Sequence, residues 1–134
     1  MPQPGGKIRL CGDYRLTVNR VAKVDQYPLP RVEELLTGLS GSTVFSKIDL
    51  KSAYNQMVLD ADSREYLTVN TPRGLLRPTR LSFGYASAPS LFQRTMDTLL
   101  AGIKGVCVFL DDVVVAGDAV ESQCIATRGS PTAE

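Results

Sequence analysis

The sequence predicts an α+β fold in which an antiparallel sheet is backed by helices. Residues 87–100 carry apolar side chains at helical spacing, residues 43–50 alternate like a strand, and two β-rich apolar arms flank the acids Asp111 and Asp112. The chain has 134 residues, of which 43% are hydrophobic. This length and composition suit one domain, or part of a larger one, with a small core.

The N-terminal part is predicted to contain a loop, a short strand and a helix. Residues 1–6 hold two prolines and two glycines, which indicates a loop. Residues 7–14 fit a short strand, and residues 31–39 are predicted to be helical. Four apolar residues of the helical segment fall at positions i, i+3, i+4 and i+7: Val32, Leu35, Leu36 and Leu39. Gly38 and Gly41 are expected to mark the end of this helix.

The middle of the chain is predicted to form a strand, a helical turn and a hairpin. The strand covers residues 43–50, although each of its faces mixes apolar and polar side chains. Residues 51–57 follow as a short helical turn. Residues 66–82 are expected to form a hairpin that turns near residues 72–74, and Pro78 weakens its second arm because proline cannot donate to the ladder.

The clearest helix covers residues 87–100. Ser87 is a suitable N-cap and Pro89 suits a first helical turn. Five apolar residues form one stripe along this segment: Phe92, Met96, Leu99, Leu100 and Ile103. Gly102 is expected to end the helix.

The segment 105–117 predicts a second hairpin, with Asp111 and Asp112 at its tip. Beyond Asp118 the sequence is polar and has no periodicity. The predicted organisation is therefore a folded part over residues 1–118 and a disordered, unrelated tail over residues 119–134.

Composition excludes several kinds of chemistry. The chain has no histidine, which removes Ser-His and Cys-His catalysis, and with three cysteines it cannot build a four-ligand His/Cys zinc site. The odd cysteine count and the lack of a CxxC motif favour an intracellular, reduced protein, in the cytoplasm or the nucleus. No apolar run is long enough to span a bilayer, so no membrane partner is expected.

Charge is unevenly distributed along the chain. Residues 1–31 contain six basic side chains against two acids, whereas the remainder contains nine bases against twelve acids. A basic N-terminal part beside a more acidic remainder suits a phosphate-facing surface next to a metal-binding one. A merely solvated basic surface fits the same distribution.

Three aspartates carry the chemistry that the residues suggest. Adjacent carboxylates at Asp111 and Asp112 repel each other unless a cation compensates them, although an exposed Asp-rich turn is the alternative. Asp49 ends the strand of residues 43–50, where it would either join them or cap the following helical turn. If the strands of residues 43–50 and 106–110 are neighbours, three hard oxygen ligands suited to Mg²⁺ or Mn²⁺ meet at one sheet edge.

The chain resembles the reverse transcriptases of long-terminal-repeat retrotransposons, most closely those of the gypsy class. Strings typical of that family occur in its usual order over roughly residues 3–118. They are residues 7–15 (KIRLCGDYR) with Val18 and Asn19, 25–31 (DQYPLPR), 45–50 (FSKIDL) with 53–56 (AYNQ), 81–84 (LSFG), 87–89 (SAP) with Phe92 and Gln93, and 109–112 (FLDD).

The resemblance implies a truncated RNA-directed DNA polymerase domain: the polymerase palm and part of the fingers. Asp49, Asp111 and Asp112 would then be the catalytic, metal-holding carboxylates, with two Mg²⁺ or Mn²⁺ ions as cofactors. The primer 3′-hydroxyl would attack the α-phosphate of a deoxynucleoside triphosphate, and the partners would be an RNA or DNA template with its primer. The outer fingers, thumb and ribonuclease H regions would belong to a longer polyprotein.

Four further residues are implied in nucleotide binding. Arg9 would contact the triphosphate, since a planar guanidinium suits phosphate oxygens, or it is an ordinary surface arginine. Tyr54 would exclude a 2′-hydroxyl, while Phe83 and Gly84 would line the nucleotide pocket; for both aromatic residues, plain core packing is the alternative. The resemblance also suggests Gln93 and Arg94 near the template, with a solvated helix face as the other interpretation.

Three functions follow from these residues. The first is a working reverse transcriptase fragment. The second is a catalytically inactive retrotransposon remnant, and the third is a module that binds nucleic acid without turnover. The sequence favours the polymerase chemistry because all three aspartates are present.

Overall fold

The computed structural model describes residues 11–118, which fall into two compact units. Within this range the first unit consists of residues 11–26 and 52–89. The second unit consists of residues 27–51 and 90–118. Each unit is therefore built from two separate stretches of the chain, and each has its own apolar core.

The described residues contain four α-helices, one 3₁₀ turn and five strands. The helical elements are α1 (Val18–Val21), α2 (Val32–Gly38), the 3₁₀ turn Ala53–Gln56, α3 (Ala61–Tyr66) and α4 (Ala88–Leu99). The strands are β1 (Val44–Asp49), β2 (Val69–Thr71), β3 (Gly74–Leu76), β4 (Val106–Phe109) and β5 (Asp112–Gly117).

The second unit is organised around an antiparallel sheet in the order β1-β5-β4. Because side chains alternate along a strand, Val113 and Val115 of β5 point to one face, and Val108 of β4 joins them there. Leu100, just after α4, completes this buried cluster, and Met96 of α4 packs against it. The opposite face carries the side chains of Asp112 and Asp49.

The first unit has a separate core around Tyr14, Leu67, Leu81 and Ala88. The buried Tyr14 hydroxyl donates to the Leu67 carbonyl oxygen at 2.9 Å, which ties together residues that are far apart in the sequence. Strands β2 and β3 form a short hairpin in this unit.

The structure confirms most of the predicted elements. The helix predicted at residues 31–39 is α2, and the strand predicted at 43–50 is β1. The helical turn predicted at 51–57 is the 3₁₀ turn, the helix at 87–100 is α4, and the hairpin at 105–117 consists of β4 and β5. The predicted α+β class with an antiparallel sheet backed by a helix is thus the observed architecture.

Other details of the prediction are wrong. The hairpin predicted at residues 66–82 is present and turns between Thr71 and Gly74 as predicted, but its arms have only three residues and the second arm ends at Leu76, before Pro78. Helix α3 was not predicted. Leu99 is 53% exposed and so does not belong to the apolar stripe of α4. In the described part of the predicted strand 7–14, ladder pairing is limited to an isolated bridge from Cys11 to Phe83.

The predicted N-terminal loop and the predicted tail of residues 119–134 lie outside the described residues. Over residues 11–118, none of the helices is both long enough and apolar enough to span a lipid bilayer.

Candidate active site

The three aspartates singled out from the sequence come together in the second unit. Strand β1 ends at Asp49, which is the direct register partner of Asp112 at the start of β5. Asp111 occupies the turn just before Asp112, and its carbonyl oxygen accepts a hydrogen bond from the Leu50 amide at 2.9 Å. The neighbouring position, Asp49–Asp112, is then a non-hydrogen-bonded pair, where facing side chains approach most closely.

These carboxylates face solvent rather than the core. Asp49 and Asp111 are exposed and Asp112 is half-buried. Their placement follows from strand alternation, because Ile48 and Val113 take the core positions of the adjacent pair. The sequence therefore folds three negative charges onto one accessible sheet edge, where mutual repulsion calls for a compensating cation.

Lys47 provides one such cation. Its Nζ donates to Asp112 Oδ2 at 2.8 Å. This contact raises the pKa of Lys47, chiefly through the hydrogen bond to Asp112 and then through attraction to its charge, with smaller contributions from Asp49 and Asp111. The ammonium thus lies in the combined field of all three carboxylates. Sequence reasoning did not single out Lys47, because a lysine on a strand is usually only a solvated charge.

A second residue positions the hairpin that carries Asp111. Gln93 of α4 is 0% exposed. Its Oε1 accepts from the Leu110 amide at 2.8 Å, and its Nε2 donates to the Val108 carbonyl at 3.1 Å and to Asp97 Oδ1 at 2.9 Å. Gln93 is therefore buried against the hairpin. This excludes the alternative from the sequence, in which Gln93 lies on a solvated helix face.

The backbone that Gln93 holds is strained. Leu110 has φ of +54°, a left-handed conformation that costs a residue with a side chain about 1–2 kcal/mol. Such conformations persist where surrounding contacts over-determine them. The Gln93 side chain bonds the residues on either side of Phe109, and so fixes the turn from which Asp111 projects.

The three aspartates offer the type of ligand atom that a divalent cation prefers. Carboxylate oxygens are the ligands that Mg²⁺ and Mn²⁺ prefer, and Asp49, Asp111 and Asp112 supply six of them. Over residues 11–118, however, no three His, Cys, Asp or Glu side chains already converge as a finished metal site. The ion pair with Lys47 engages an oxygen of Asp112.

Two of the expected nucleotide-binding residues meet in the first unit. The rings of Tyr54 and Phe83 lie 5.0 Å apart between centroids, with their planes at 47°. Tyr54 also packs against the core around Tyr14 and Leu81, which agrees with the alternative of aromatic core packing. Both rings remain half-buried. The pair therefore has a structural role and still presents aromatic surface.

Gly84 follows this pair and is required by the backbone. Its φ is +98°, and a Cβ at this position would lie 2.0 Å from the Gly12 carbonyl oxygen. Asn19 fixes the same loop, because its Nδ2 donates to the Gly84 carbonyl at 2.8 Å and its Oδ1 accepts from the Ala86 amide at 2.9 Å. In the sequence, the only indication of a role for Asn19 was its occurrence among the strings typical of the family.

Two arginines were also singled out from the sequence. Arg9 lies outside the described residues. Arg94 lies over the ring of Tyr27, with its guanidinium carbon 5.3 Å from the ring centroid. The Tyr27 hydroxyl in turn donates to Asp97 Oδ2 at 2.7 Å, so that this side of α4 is tied to the segment leading into α2.

Comparison with known proteins identifies the family of the chain as a whole. Residues 1–128 match the family model described as reverse transcriptase (RNA-dependent DNA polymerase). The chain is 41% identical over 113 residues to the retrovirus-related Pol polyprotein from transposon 412 of Drosophila melanogaster, covering 83% of this chain and 9% of that protein. It is 39% identical to the enzymatic polyprotein of figwort mosaic virus, covering 82% of this chain and 16% of that protein.

The fold agrees with the same comparison. A foamy viral protease-reverse transcriptase, solved in complex with double-stranded DNA, superposes with a TM-score of 0.85 at 26% identity, over 96% of this chain and 23% of that one. The chain thus spans between about a tenth and a quarter of the proteins it matches. The family model covers nearly the whole sequence, and the chain belongs to the reverse transcriptase (RNA-dependent DNA polymerase) family.

Proposed function

We propose that this chain supplies the catalytic carboxylates of an RNA-directed DNA polymerase, which adds deoxynucleotides to a primer 3′-hydroxyl on an RNA or DNA template. The observation that carries the proposal is the pairing of Asp49 with Asp112 beside the Asp111 turn. Family membership supports the reaction class, and the foamy viral relative, solved with double-stranded DNA, supports a nucleic-acid partner.

Asp49 and Asp111 are the residues we expect to hold divalent ions, with Asp112 beside them. When bound, two Mg²⁺ or Mn²⁺ ions would activate the attacking hydroxyl and neutralise the charge on the departing pyrophosphate. The protein's own contribution is positioning, since phosphoryl transfer needs little further chemistry from side chains. The lack of histidine is therefore compatible with this reaction.

The remaining assignments rest on the family resemblance. Tyr54 would exclude a 2′-hydroxyl, with Phe83 and Gly84 lining the nucleotide pocket and Arg9 contacting the triphosphate. The half-buried Tyr54–Phe83 pair supports an aromatic surface suited to a sugar or base. The thumb and ribonuclease H regions of a polyprotein would be further partners, and two free thiols, Cys11 and Cys107, fit an intracellular setting in the cytoplasm or nucleus.

Primer extension tests the proposal. The purified chain is incubated with a DNA primer on an RNA template, Mg²⁺ and deoxynucleoside triphosphates. We expect incorporation by the parent chain and its loss in Asp111→Asn. Asp118→Asn is the matched control, because Asp118 is an exposed acid just beyond β5 and at the end of that strand remote from Asp112. Extension should survive this change.

Three outcomes would contradict the proposal. Undiminished extension by Asp111→Asn would remove the aspartate from the reaction. Folded chain that binds primer–template but extends nothing would favour a nucleic-acid-binding module, and its affinity should then fall with added salt. A folded chain that neither binds nor extends would favour a catalytically inactive remnant.

A further inference from the structure

The ion pair between Lys47 and Asp112 lies within the three-aspartate cluster. The Lys47 ammonium is 2.8 Å from Asp112 Oδ2, and the two side chains are 63% and 32% exposed. Exposed ion pairs contribute little to stability. The interest of this contact therefore lies in the carboxylate that it occupies.

The register of the sheet explains why Lys47 reaches this carboxylate. Lys47 pairs with Val114, so Asp112 is its diagonal neighbour, two residues along β5 on the same face. Diagonal neighbours in an antiparallel sheet are within reach of a long side chain. Asp49, two residues after Lys47, also lies on that face. One lysine side chain thus carries a positive charge to Asp112 and into the field of Asp49 and Asp111.

The contact divides the three carboxylates into two kinds. Asp112 is engaged by Lys47 and half-buried, whereas Asp49 and Asp111 are exposed. A carboxylate oxygen that accepts from an ammonium must exchange that partner before it can bind an ion fully. Asp49 and Asp111 are the ones open to a cation without such an exchange.

We propose that Lys47 is a positioning residue and the resident counterion of this cluster: it holds Asp112 and leaves Asp49 and Asp111 as the pair that receives the divalent ion. The inference rests on the proposed function of the three aspartates. It implies that Lys47 restrains metal affinity, both by its charge and by withholding Asp112 from the metal.

Mn²⁺ binding to the full chain tests this role, followed by the loss of the electron paramagnetic resonance signal of free Mn²⁺. Lys47→Gln should bind Mn²⁺ about fivefold more tightly at low ionic strength, because one positive charge near a divalent ion is removed and Asp112 is released. Lys47→Arg should restore the parent affinity to within about twofold, since the guanidinium keeps the charge and the contact.

Two further variants separate the charge from the contact. In an Asp112→Asn background, the same Lys47→Gln change should tighten binding by about twofold at most, because no carboxylate is left to release. Lys104→Gln is the matched control: Lys104 is an exposed lysine just before β4, and its loss should leave the affinity unchanged. Circular dichroism of each variant checks that the fold is retained.

Several results would overturn the inference. One is an unchanged or weaker Mn²⁺ affinity in Lys47→Gln, and another is an equal gain with and without Asp112. Failure of the proposed function has a different signature: Mn²⁺ binding that responds to the Lys47 variants as expected but supports no primer extension. Mn²⁺ binding that Asp49→Asn or Asp111→Asn leaves intact contradicts both the function and the inference. A chain that binds no Mn²⁺ in either its parent or its Lys47→Gln form contradicts both.

Discussion

Gln93 has the largest structural effect that a single side chain has on the candidate site. It is buried, and it satisfies two backbone groups of the β4–β5 hairpin, one on each side of Phe109. We expect Gln93→Leu to lower the free energy of unfolding by about 2–4 kcal/mol, because the Leu110 N–H and the Val108 C=O lose their partner. Urea unfolding followed by circular dichroism measures this difference.

Thr98→Ala is the control for this change. Thr98 lies on the same helix and is exposed, so its removal should alter the free energy of unfolding by about 0.5 kcal/mol or less. Equal losses in the two variants would mean that Gln93 acts through helix propensity alone. The role assigned to its hydrogen bonds would then be wrong.

The contacts that sequence reasoning missed share a physical cause. Each contact joins residues that are far apart in the sequence. Lys47 contacts Asp112, and Asn19 contacts Gly84, in both cases 65 positions away. Gln93 contacts residues 15 and 17 positions away. Local spacing carries no information on such contacts. The aspartates could be predicted because acidic side chains at the ends of apolar strands are unusual in themselves. The strand beside β1 was not predicted correctly: it is β5 and not the strand of residues 106–110, because pairing between distant strands is not encoded in local spacing.

Helices and strands were predictable in proportion to their apolar periodicity. Helix α4 shows it clearly, strand β1 alternates with mixed faces, and β4 and β5 are apolar arms; all four were identified within one or two residues. Helix α3 lacks such periodicity, since residues 61–66 are ADSREY with a single large apolar side chain. Its N-terminus depends instead on Asp60, which a pattern of apolar residues cannot reveal.

Asp60 makes α3 sensitive to pH. Its Oδ1 accepts from the Ser63 amide at 2.8 Å and its Oδ2 from the Ser63 hydroxyl at 2.7 Å. These hydrogen bonds, the backbone one first, lower the pKa of Asp60 below 3.8. A depressed pKa in the folded state means that the stabilisation is fully present above the unfolded value and is lost as the pH falls through the folded value.

The thermal midpoint of Asp60→Ala should therefore lie below that of the parent chain at neutral pH, and this gap should close as the pH falls below about 3.8. Scanning calorimetry between pH 7 and pH 2 measures the gap. Asp62→Ala removes a carboxylate from the same first turn and is the control, with a smaller gap because its interaction is with the helix dipole only. A gap for Asp60→Ala that widens in acid would contradict the assigned cap.

At the scale of the whole molecule, the sequence predicted a fingers/palm fragment over residues 1–118, and the described residues within it form two units. The chain enters each unit twice, so no single break in composition marks a boundary between them. The cores are nonetheless separate, with Tyr14, Leu67 and Leu81 in the first and Val113 and Val115 in the second. Interleaved segments of this kind cannot be separated by spacing or composition, which describe only neighbours along the chain.

Separate cores predict separate local opening. Leu81 and Val115 are each 1% exposed, one in each core. Truncating either to alanine leaves a cavity that the surroundings fill only in part, so the unit containing it is destabilised first. We expect Leu81→Ala to raise amide hydrogen exchange mainly at first-unit amides such as those of Met57 and Leu59, and Val115→Ala mainly at second-unit amides such as those of Leu50 and Ala116.

Hydrogen exchange with mass spectrometry of peptic peptides distinguishes the two patterns, and each variant serves as the control for the other. Equal acceleration across residues 11–118 in both variants would mean that the chain opens as one cooperative body. Selective opening would have a consequence for the candidate site. Asp49, Asp111 and Asp112 all belong to the second unit, so Leu81→Ala should leave Mn²⁺ binding by the aspartates nearly intact while Val115→Ala weakens it.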